Sequence, residues 1–435
     1  GAGGKGRSDI LNASVNGRER VVALCDVDIA GSAKESVKNF PNAKQYADYR
    51  IMLEQEKDID AVTISTPDHV HGPAAKFCME RGKHVYVQKP MTHNIREARM
   101  LTQMARDQKV VTQMGNQGAS NPLMDMIRGW MDSDKIGKVS KVQIWTNRPV
   151  WPQGGPFPKA DAGSKPSELE WDLWLGPAPE IPYTPNLHPF NWRGWWDYGT
   201  GALGDMACHI MEAPFRVLGL SYPESAECSV GSVYVGEFQR GYFPDSCPPS
   251  SHITLKFKRE GREDLPFHWM DGGIQPARPE ELGPNEMMGD GGNGTIFIGT
   301  KGKMMCGTYG AIPNLLPTNL TKTTQVPQTI ARVPKGDNGH YAAWVEAAIA
   351  GYGTDAAKNL SSNFDVAGPL TESVLMGNLA IRSYDLQKKM ENGRVAYPGR
   401  NIRLVWDGPN MKITNFDLAN QFVQRAYREG WSLGE

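Results

Sequence analysis

The stretch GAGGKG at residues 1–6, read together with VVALCD at 21–26, decides the fold class. Gly1, Gly3 and Gly6 satisfy the spacing G-x-G-x-x-G, with Gly4 between them. In such a loop the glycines allow a tight turn, a close backbone approach to a pyrophosphate and close packing of the next helix, whose first amides bind the anion. VVALC reads as a short buried strand, and Asp26 closes it about twenty residues beyond the last glycine, where an acceptor for a ribose 2'-hydroxyl belongs. A carboxylate there repels a 2'-phosphate, so the pattern favours NAD and disfavours NADP. The plainer reading of Asp26 is a cap on a strand end. The strand that should precede the loop, central in the usual strand order, lies before residue 1. A piece of a longer chain is therefore expected, any export signal would lie ahead of it, and both cytoplasm and periplasm are compatible with what is read here.

Outward from this loop, DAVTIST (60–66), HVYVQKP (84–90) and KVVTQMG (109–115) are further short, Val-rich runs bounded by turn residues. Between the last two, NIREARMLTQMARDQ places Ile95, Ala98, Leu101, Met104 and Ala105 on one face, with Asn94 and Glu97 at capping-box spacing. Strand alternating with helix predicts a doubly wound parallel sheet. Ligands of such sheets bind outside the carboxyl ends of the strands. Thr66, Pro67 and His71 in the TPDHVH turn, and Lys89 in Gln88-Lys89-Pro90, are therefore expected at the cofactor crevice. His69 and His71 resemble a metal pair, but packing or a helix cap is the plainer reading.

After Gly118 the pattern changes. A helix over 122–135 and a strand at VSKVQIW (139–145) lead into a loop-like region, 149–189, dense in Pro, Gly and Trp. HITLKFK (252–258) and GTIFIGTKGKMMCG (294–307), turning at Thr300 to Gly302, read as strands, and helices are expected at 340–351 and 370–391. The organisation predicted is a cofactor domain over 1–120 and an α/β domain with a large, mainly antiparallel open sheet over 121–435.

Lys plus Arg number 47 against 48 Asp plus Glu, a net charge of -1 that lacks the basic footprint of a nucleic-acid protein. No apolar run approaches a membrane span of about 18 residues. The six cysteines are scattered, with no CxxC pair, so buried thiols are expected rather than a disulfide framework or zinc site, and no metal is assigned.

GTGALGDMACHIMEAPFRVLGL at 199–220 reads as a glycine-rich turn entering a helix. Asp205, His209 and Glu212, at i, i+4 and i+7, would share one face. An Asp one turn from a His can orient the imidazole for general-base work, and the same spacing could serve a divalent ion given another ligand. Just before it stand Trp192, Trp195, Trp196 and Tyr198, whose rings suit the C–H faces of a sugar or, equally, a core or subunit interface.

The glycine loop, Asp26, TPDHVH, Gln88-Lys89-Pro90 and the D-x-x-x-H helix, with the late HYAAWVEAAIAG and LTESVLMGNLAIR, occur in an order that resembles the glucose-fructose oxidoreductase, inositol dehydrogenase and MocA family over nearly the whole chain. The resemblance implies a Rossmann domain followed by an open-sheet α/β domain, a nicotinamide cofactor, a sugar or polyol substrate and a homodimer or homotetramer. It implies that Lys89 positions the substrate hydroxyl and nicotinamide, Asp205 orients substrate or base, and His209 is the acid/base. Gln88 stands where Glu is usual, which removes a charge near Lys89, and Glu212 stands where Asp is usual. The leading expectation is NAD(P)-linked oxidation of a secondary hydroxyl on a sugar, glycoside or polyol. The alternatives are an NAD-dependent glycosidase acting by transient oxidation and elimination, and a cofactor-free sugar-binding or metal-dependent protein.

Overall fold

The structure, a computed structural model, describes residues 1–324 and 339–433. The glycine loop runs straight into a helix at Lys5–Ala13, and short parallel strands follow. β1 (Ala23–Cys25) pairs with β2 (Lys44–Tyr46), while β3 (Ala61–Ile64), β4 (His84–Val87) and β5 (Thr112–Met114) form a second parallel group in that order. Set side by side, β2-β1 and β3-β4-β5 follow the doubly wound order 3-2-1-4-5-6 at every position but one. Between β1 and β3 no described strand forms a ladder with either. Val85, Tyr86 and Val87 of β4 are fully buried, as a strand covered on both faces requires.

Helices at Asp68–Met79 and Ile95–Asp107 supply the crossovers. Asn94 caps the second, accepting from Glu97 N at 3.0 Å. The Glu97 carboxylate reaches back to His93 N at 3.1 Å, so the reciprocal half of the capping box lands one residue earlier than the spacing predicts.

The second half is built on one nine-stranded sheet. Its strands are β6 (Val139–Trp145), β7 (Ser225–Val230), β10 (Ser251–Phe257), β11 (Leu265–Met270), β12 (Gly294–Gly299), β13 (Lys303–Cys306), β14 (Asn314–Leu316), β17 (Leu404–Asp407) and β18 (Lys412–Ile413). The order is β14-β13-β12-β6-β11-β10-β7-β17-β18, antiparallel except where β11 joins β6. Two small hairpins, β8 (Tyr234–Gly236) with β9 (Gln239–Arg240) and β15 (Lys388–Lys389) with β16 (Val395–Ala396), stand apart. Along β10, Ser251, Ile253, Leu255 and Phe257 are buried while His252, Thr254 and Lys256 are half-exposed, the alternation of a sheet covered on one face.

The covering element is a long helix, Phe364–Tyr384, which starts six residues before the expected 370 because Asn363 caps it, accepting from Asp365 N at 3.0 Å. Its Gly377 is the contact point with the site. A Cβ there would lie 2.6 Å from Leu203 and 3.2 Å from Ile253, so the missing side chain lets this helix pack closely against both the sheet and the Gly201–Ile210 helix.

Under β11, Trp269 is almost fully buried and donates through Nε1 to Asp271 at 2.9 Å. Ser251 N and Oγ also donate to that carboxylate, at 2.6 and 2.8 Å, while burial pushes its pKa up to about 6. Trp269→Phe keeps an aromatic ring but leaves Asp271 one donor short, so urea unfolding should show a loss of about 1–3 kcal/mol with an unchanged m value. An unchanged midpoint would show that the bond contributes nothing.

Candidate active site

A cavity is lined by the glycine loop, by Thr66, Pro67 and Lys89 beyond strand ends, and by Asp205 and His209 from the second half. The loop is shaped for close approach. A Cβ on Gly6 would sit 2.1 Å from the Gly1 carbonyl oxygen, and Gly4 holds φ at +50° with open space around it. The Lys5–Ala13 helix has no side-chain cap, which leaves its first amides for a ligand. Asp26 Oδ2 accepts from Ala2 N at 2.7 Å and Gly3 N at 3.1 Å, so its carboxylate fixes the loop at the place where the ribose is expected. These residues fit a dinucleotide.

At the other end of the cavity, Lys89 Nζ donates to the Asp205 carboxylate at 2.8 Å and to the Asp205 backbone carbonyl at 2.6 Å. Arg193 Nε approaches the same carboxylate at 3.4 Å. Burial alone would raise the Asp205 pKa, but Lys89, Arg193 and the Lys89 hydrogen bond outweigh it and hold the carboxyl at about 2. His209 is buried, and burial together with the Lys89 charge drives its pKa well below the usual histidine value. The imidazole is neutral at pH 7. Its Nδ1 has no hydrogen-bond partner among the described residues, and its ring meets the Tyr309 ring edge-on at 4.9 Å.

The expected trio on one helical face is corrected. Asp205 binds Lys89 and Arg193 rather than orienting His209. The helix also breaks at Met211, between Gly201–Ile210 and Glu212–Val217, because Pro214 cannot donate to the carbonyl four residues back. That carbonyl, of Ile210, instead faces the Thr295 hydroxyl at 3.4 Å. Glu212 consequently turns away from the cavity, toward Asn116 Nδ2 at 3.1 Å and Arg216 at 3.3 Å. Among the described residues no group of three His, Cys, Asp or Glu is arranged to hold a metal ion.

The aromatic expectation is corrected in part. Trp192 lines the cavity. Trp192 also belongs to the aromatic core of Trp171, Trp174, Trp195 and Tyr198, and Trp196 lies in the main core; Trp195, Trp196 and Tyr198 are not part of the cavity wall. His71 is in the cavity wall, but its two ring nitrogens face the Pro90 carbonyl at 2.8 Å and the Thr66 carbonyl at 2.9 Å, so it positions those turns rather than offering a polar atom to a ligand. His69 is likewise held between the Tyr198 and Trp174 carbonyls, as the packing reading expects. Gln88 donates to Asp9 at 2.9 Å, and that fully buried carboxylate also accepts from Ser65, Tyr341 and Lys5.

Several residues of the cavity wall escape sequence reading. Arg193 is clamped by rings, its guanidinium carbon 4.3 Å from the Trp192 ring centre and 4.5 Å from that of Phe190. Tyr309 is brought in from the far sheet edge by a turn held at φ 63°. Asp68, first residue of its helix, accepts from Thr200 at 2.6 Å, and burial raises its pKa to about 7. The pairing of Trp192 with Arg193 beside the predicted catalytic helix was the one available signal for Arg193; nothing local marks Tyr309.

Comparison with known proteins fits this geometry. Residues 1–116 match the family described as an oxidoreductase family with an NAD-binding Rossmann fold, and residues 138–228 match the C-terminal alpha/beta domain of the same family. Levoglucosan dehydrogenase of Pseudarthrobacter phenanthrenivorans is 25% identical over 150 residues, 33% of this chain and 37% of that protein. Inositol 2-dehydrogenase of Salmonella paratyphi B is 27% identical over 127 residues, 29% of this chain and 37% of that protein. The chain thus aligns with well under half the length of these relatives. The WlbA dehydrogenase of Bordetella pertussis, solved with NADH and UDP-GlcNAcA, shares the fold over 87% of this chain and 92% of its own, with a TM-score of 0.56 at 15% identity. Residues 1–116 and 138–228 thus carry the two domains of the glucose-fructose oxidoreductase, inositol dehydrogenase and MocA family of NAD-binding oxidoreductases.

Proposed function

We propose that the protein oxidises a secondary hydroxyl of a sugar, glycoside or polyol, with residues 1–120 holding NAD and residues 121–435 the substrate. The relatives named levoglucosan dehydrogenase and inositol 2-dehydrogenase support this substrate class. The observation that carries the proposal is the buried, neutral His209 in the wall of the cavity that also holds Lys89.

In this reading the glycine loop with Gly1, Gly3, Gly4 and Gly6, together with Asp26, Thr66, Pro67 and Lys89, would hold the dinucleotide, which when bound supplies the hydride acceptor. Lys89 donates to the substrate oxygen and stabilises its developing negative charge. His209 accepts the hydroxyl proton, and the neutral state imposed by burial leaves the imidazole able to do so. Asp205 holds the ammonium in place, and Trp192 offers an apolar wall to the ring. Sustained consumption of free NAD distinguishes this reaction from a glycosidase cycle, which has no net redox change.

Because a general base contributes about 10²- to 10⁴-fold, His209→Ala should lower turnover by that much while NAD binding, followed by fluorescence, stays nearly constant. Full activity in the variant would remove His209 from the mechanism. The Asp26 carboxylate, which lines the cavity at the end of β1, would repel a 2'-phosphate. NAD should therefore bind at least about tenfold more tightly than NADP, or about 1.4 kcal/mol. Equal affinities in a titration would sink that assignment.

The Asp205 carboxyl, held at about 2 against an ordinary 3.8, contributes stability that is fully present above pH 3.8 and lost as pH falls through 2. Acid titration of unfolding should accordingly be shallower over that window in Asp205→Asn than in the parent protein. Parallel curves would mean that the ion pair is not coupled to folding.

A further inference from the structure

We propose that Arg193 is a specificity-determining residue that binds a carboxylate of the substrate, so that the preferred substrate is a sugar acid rather than a neutral sugar. This inference rests on the carbohydrate reading above and narrows it to one chemical class.

At the Lys89 end of the cavity the charges are unevenly matched. Two cations, Lys89 and Arg193, converge on one carboxylate, that of Asp205, at 2.8 and 3.4 Å. Lys89 makes the shorter contact and adds a second bond to the Asp205 carbonyl, so most of the pairing belongs to it. The other carboxyl on this wall among the described residues, Asp68, is occupied by the Thr200 hydroxyl at 2.6 Å. Its pKa near 7 means that at neutral pH it carries only part of a negative charge. Cations therefore exceed anions in this part of the cavity, and a buried or half-buried cation lacking a full counter-charge is costly.

The guanidinium is also arranged to receive an anion. Nη1 donates to the Phe190 carbonyl at 2.9 Å and Nε faces Asp205, whereas Nη2 has no hydrogen-bond acceptor among the described residues. Trp192 and Phe190 hold the guanidinium by their ring faces, with Trp151 further off at 5.9 Å, so its orientation is set before any ligand arrives. The side chain remains about a quarter exposed, at 23%, and it lines the cavity beside Trp192. A planar fork with an open edge matches the two oxygens of a carboxylate, a match that a neutral hydroxymethyl group cannot make. The ring of a sugar acid bound in this way would lie against Trp192, with a secondary hydroxyl left to reach Lys89 and His209.

The test compares matched probes with the intact protein and NAD: D-galacturonate, its methyl ester and D-galactose, and in parallel D-glucuronate, its methyl ester and D-glucose. The free acid should exceed both neutral members in kcat/KM by at least about tenfold, the size of one charge-assisted hydrogen bond. In Arg193→Met the ratio of acid to ester should collapse to within about twofold, chiefly through KM for the acid. Arg193→Lys should retain an intermediate preference. Because Arg193 also touches Asp205, absolute rates on every substrate will fall in these variants, and the acid-to-ester ratio is the diagnostic quantity. A preference for the neutral members in both series, or an acid preference that survives Arg193→Met, overturns the proposal.

Calorimetric binding of the same probes to NADH-saturated protein separates this inference from the reading on which it rests. Acid binding that depends on Arg193, without NADH formation from any probe, leaves the carboxylate site standing and removes the hydride-transfer reading. Hydride transfer to NAD with no acid preference, or acids that bind no better than their esters, does the reverse.

Discussion

The contact between Lys89 and Asp205 is the constraint on which the rest of the site depends. Lys89 ends a strand of the parallel sheet, and Asp205 lies on a helix that packs under the large open sheet, 116 residues later in the chain. Neither half is a site without the other. The glycine loop can cradle a dinucleotide, and the second half can present a neutral histidine, but the hydride transfer proposed above requires that they meet at one carbon. A buried ion pair is a poor way to gain stability, because desolvation cancels most of the attraction. It is a good way to fix a geometry, because a misplaced partner leaves a charge unpaired in the interior.

That fixation spreads through the neighbouring charges. Burial and then Lys89 lower His209, while Lys89 and Arg193 lower Asp205 against its burial, so a carboxylate stays ionised and an imidazole neutral at the same pH. Asp68 responds the other way because burial dominates there. Three titratable groups in one cavity thus take three different protonation states, each set by depth and by distance from Lys89 and Arg193. The supporting shell is equally specific. Asp9, fully buried, gathers Ser65, Gln88 and Tyr341 around the first helix, so the carboxylate that Gln88 lacks is supplied nearby from another part of the chain.

Much of the fold was legible because it is written in local pattern. The Val-rich runs, the glycine spacing and the Asn94 cap each follow from short-range sterics and hydrogen bonding, and β6 and the β12–β13 hairpin lie where alternation puts them. Lys89, Asp205 and His209 were legible as members of one cavity because strand ends and helix spacing are also local. Their partnerships were not. The Asp205–His209 spacing is equally consistent with a mutual contact and with the observed turn of Asp205 toward a lysine in another part of the chain, and only tertiary packing decides. Pro214 was visible, but its effect on Glu212 required asking which carbonyl would lose its donor. The tryptophans were undecidable as a group, since a buried ring and a binding ring have the same composition, and they divide between the two roles. Tyr309 reaches His209 through a turn in left-handed backbone that no spacing rule anticipates.

Lys89 is gripped at two points of the same residue, by the carboxylate and by the backbone carbonyl of Asp205. Only the first of these is encoded by the side chain. The second belongs to the peptide and persists whatever residue stands at that position, provided the helix keeps its path. Location and charge compensation of the ammonium are therefore separable properties. A side-chain change at position 205 alters the electrical environment of the reacting oxygen while the backbone still marks where the ammonium should be. The tether is renewed by the fold itself, which gives the electrostatics of the site room to drift without loss of its alignment.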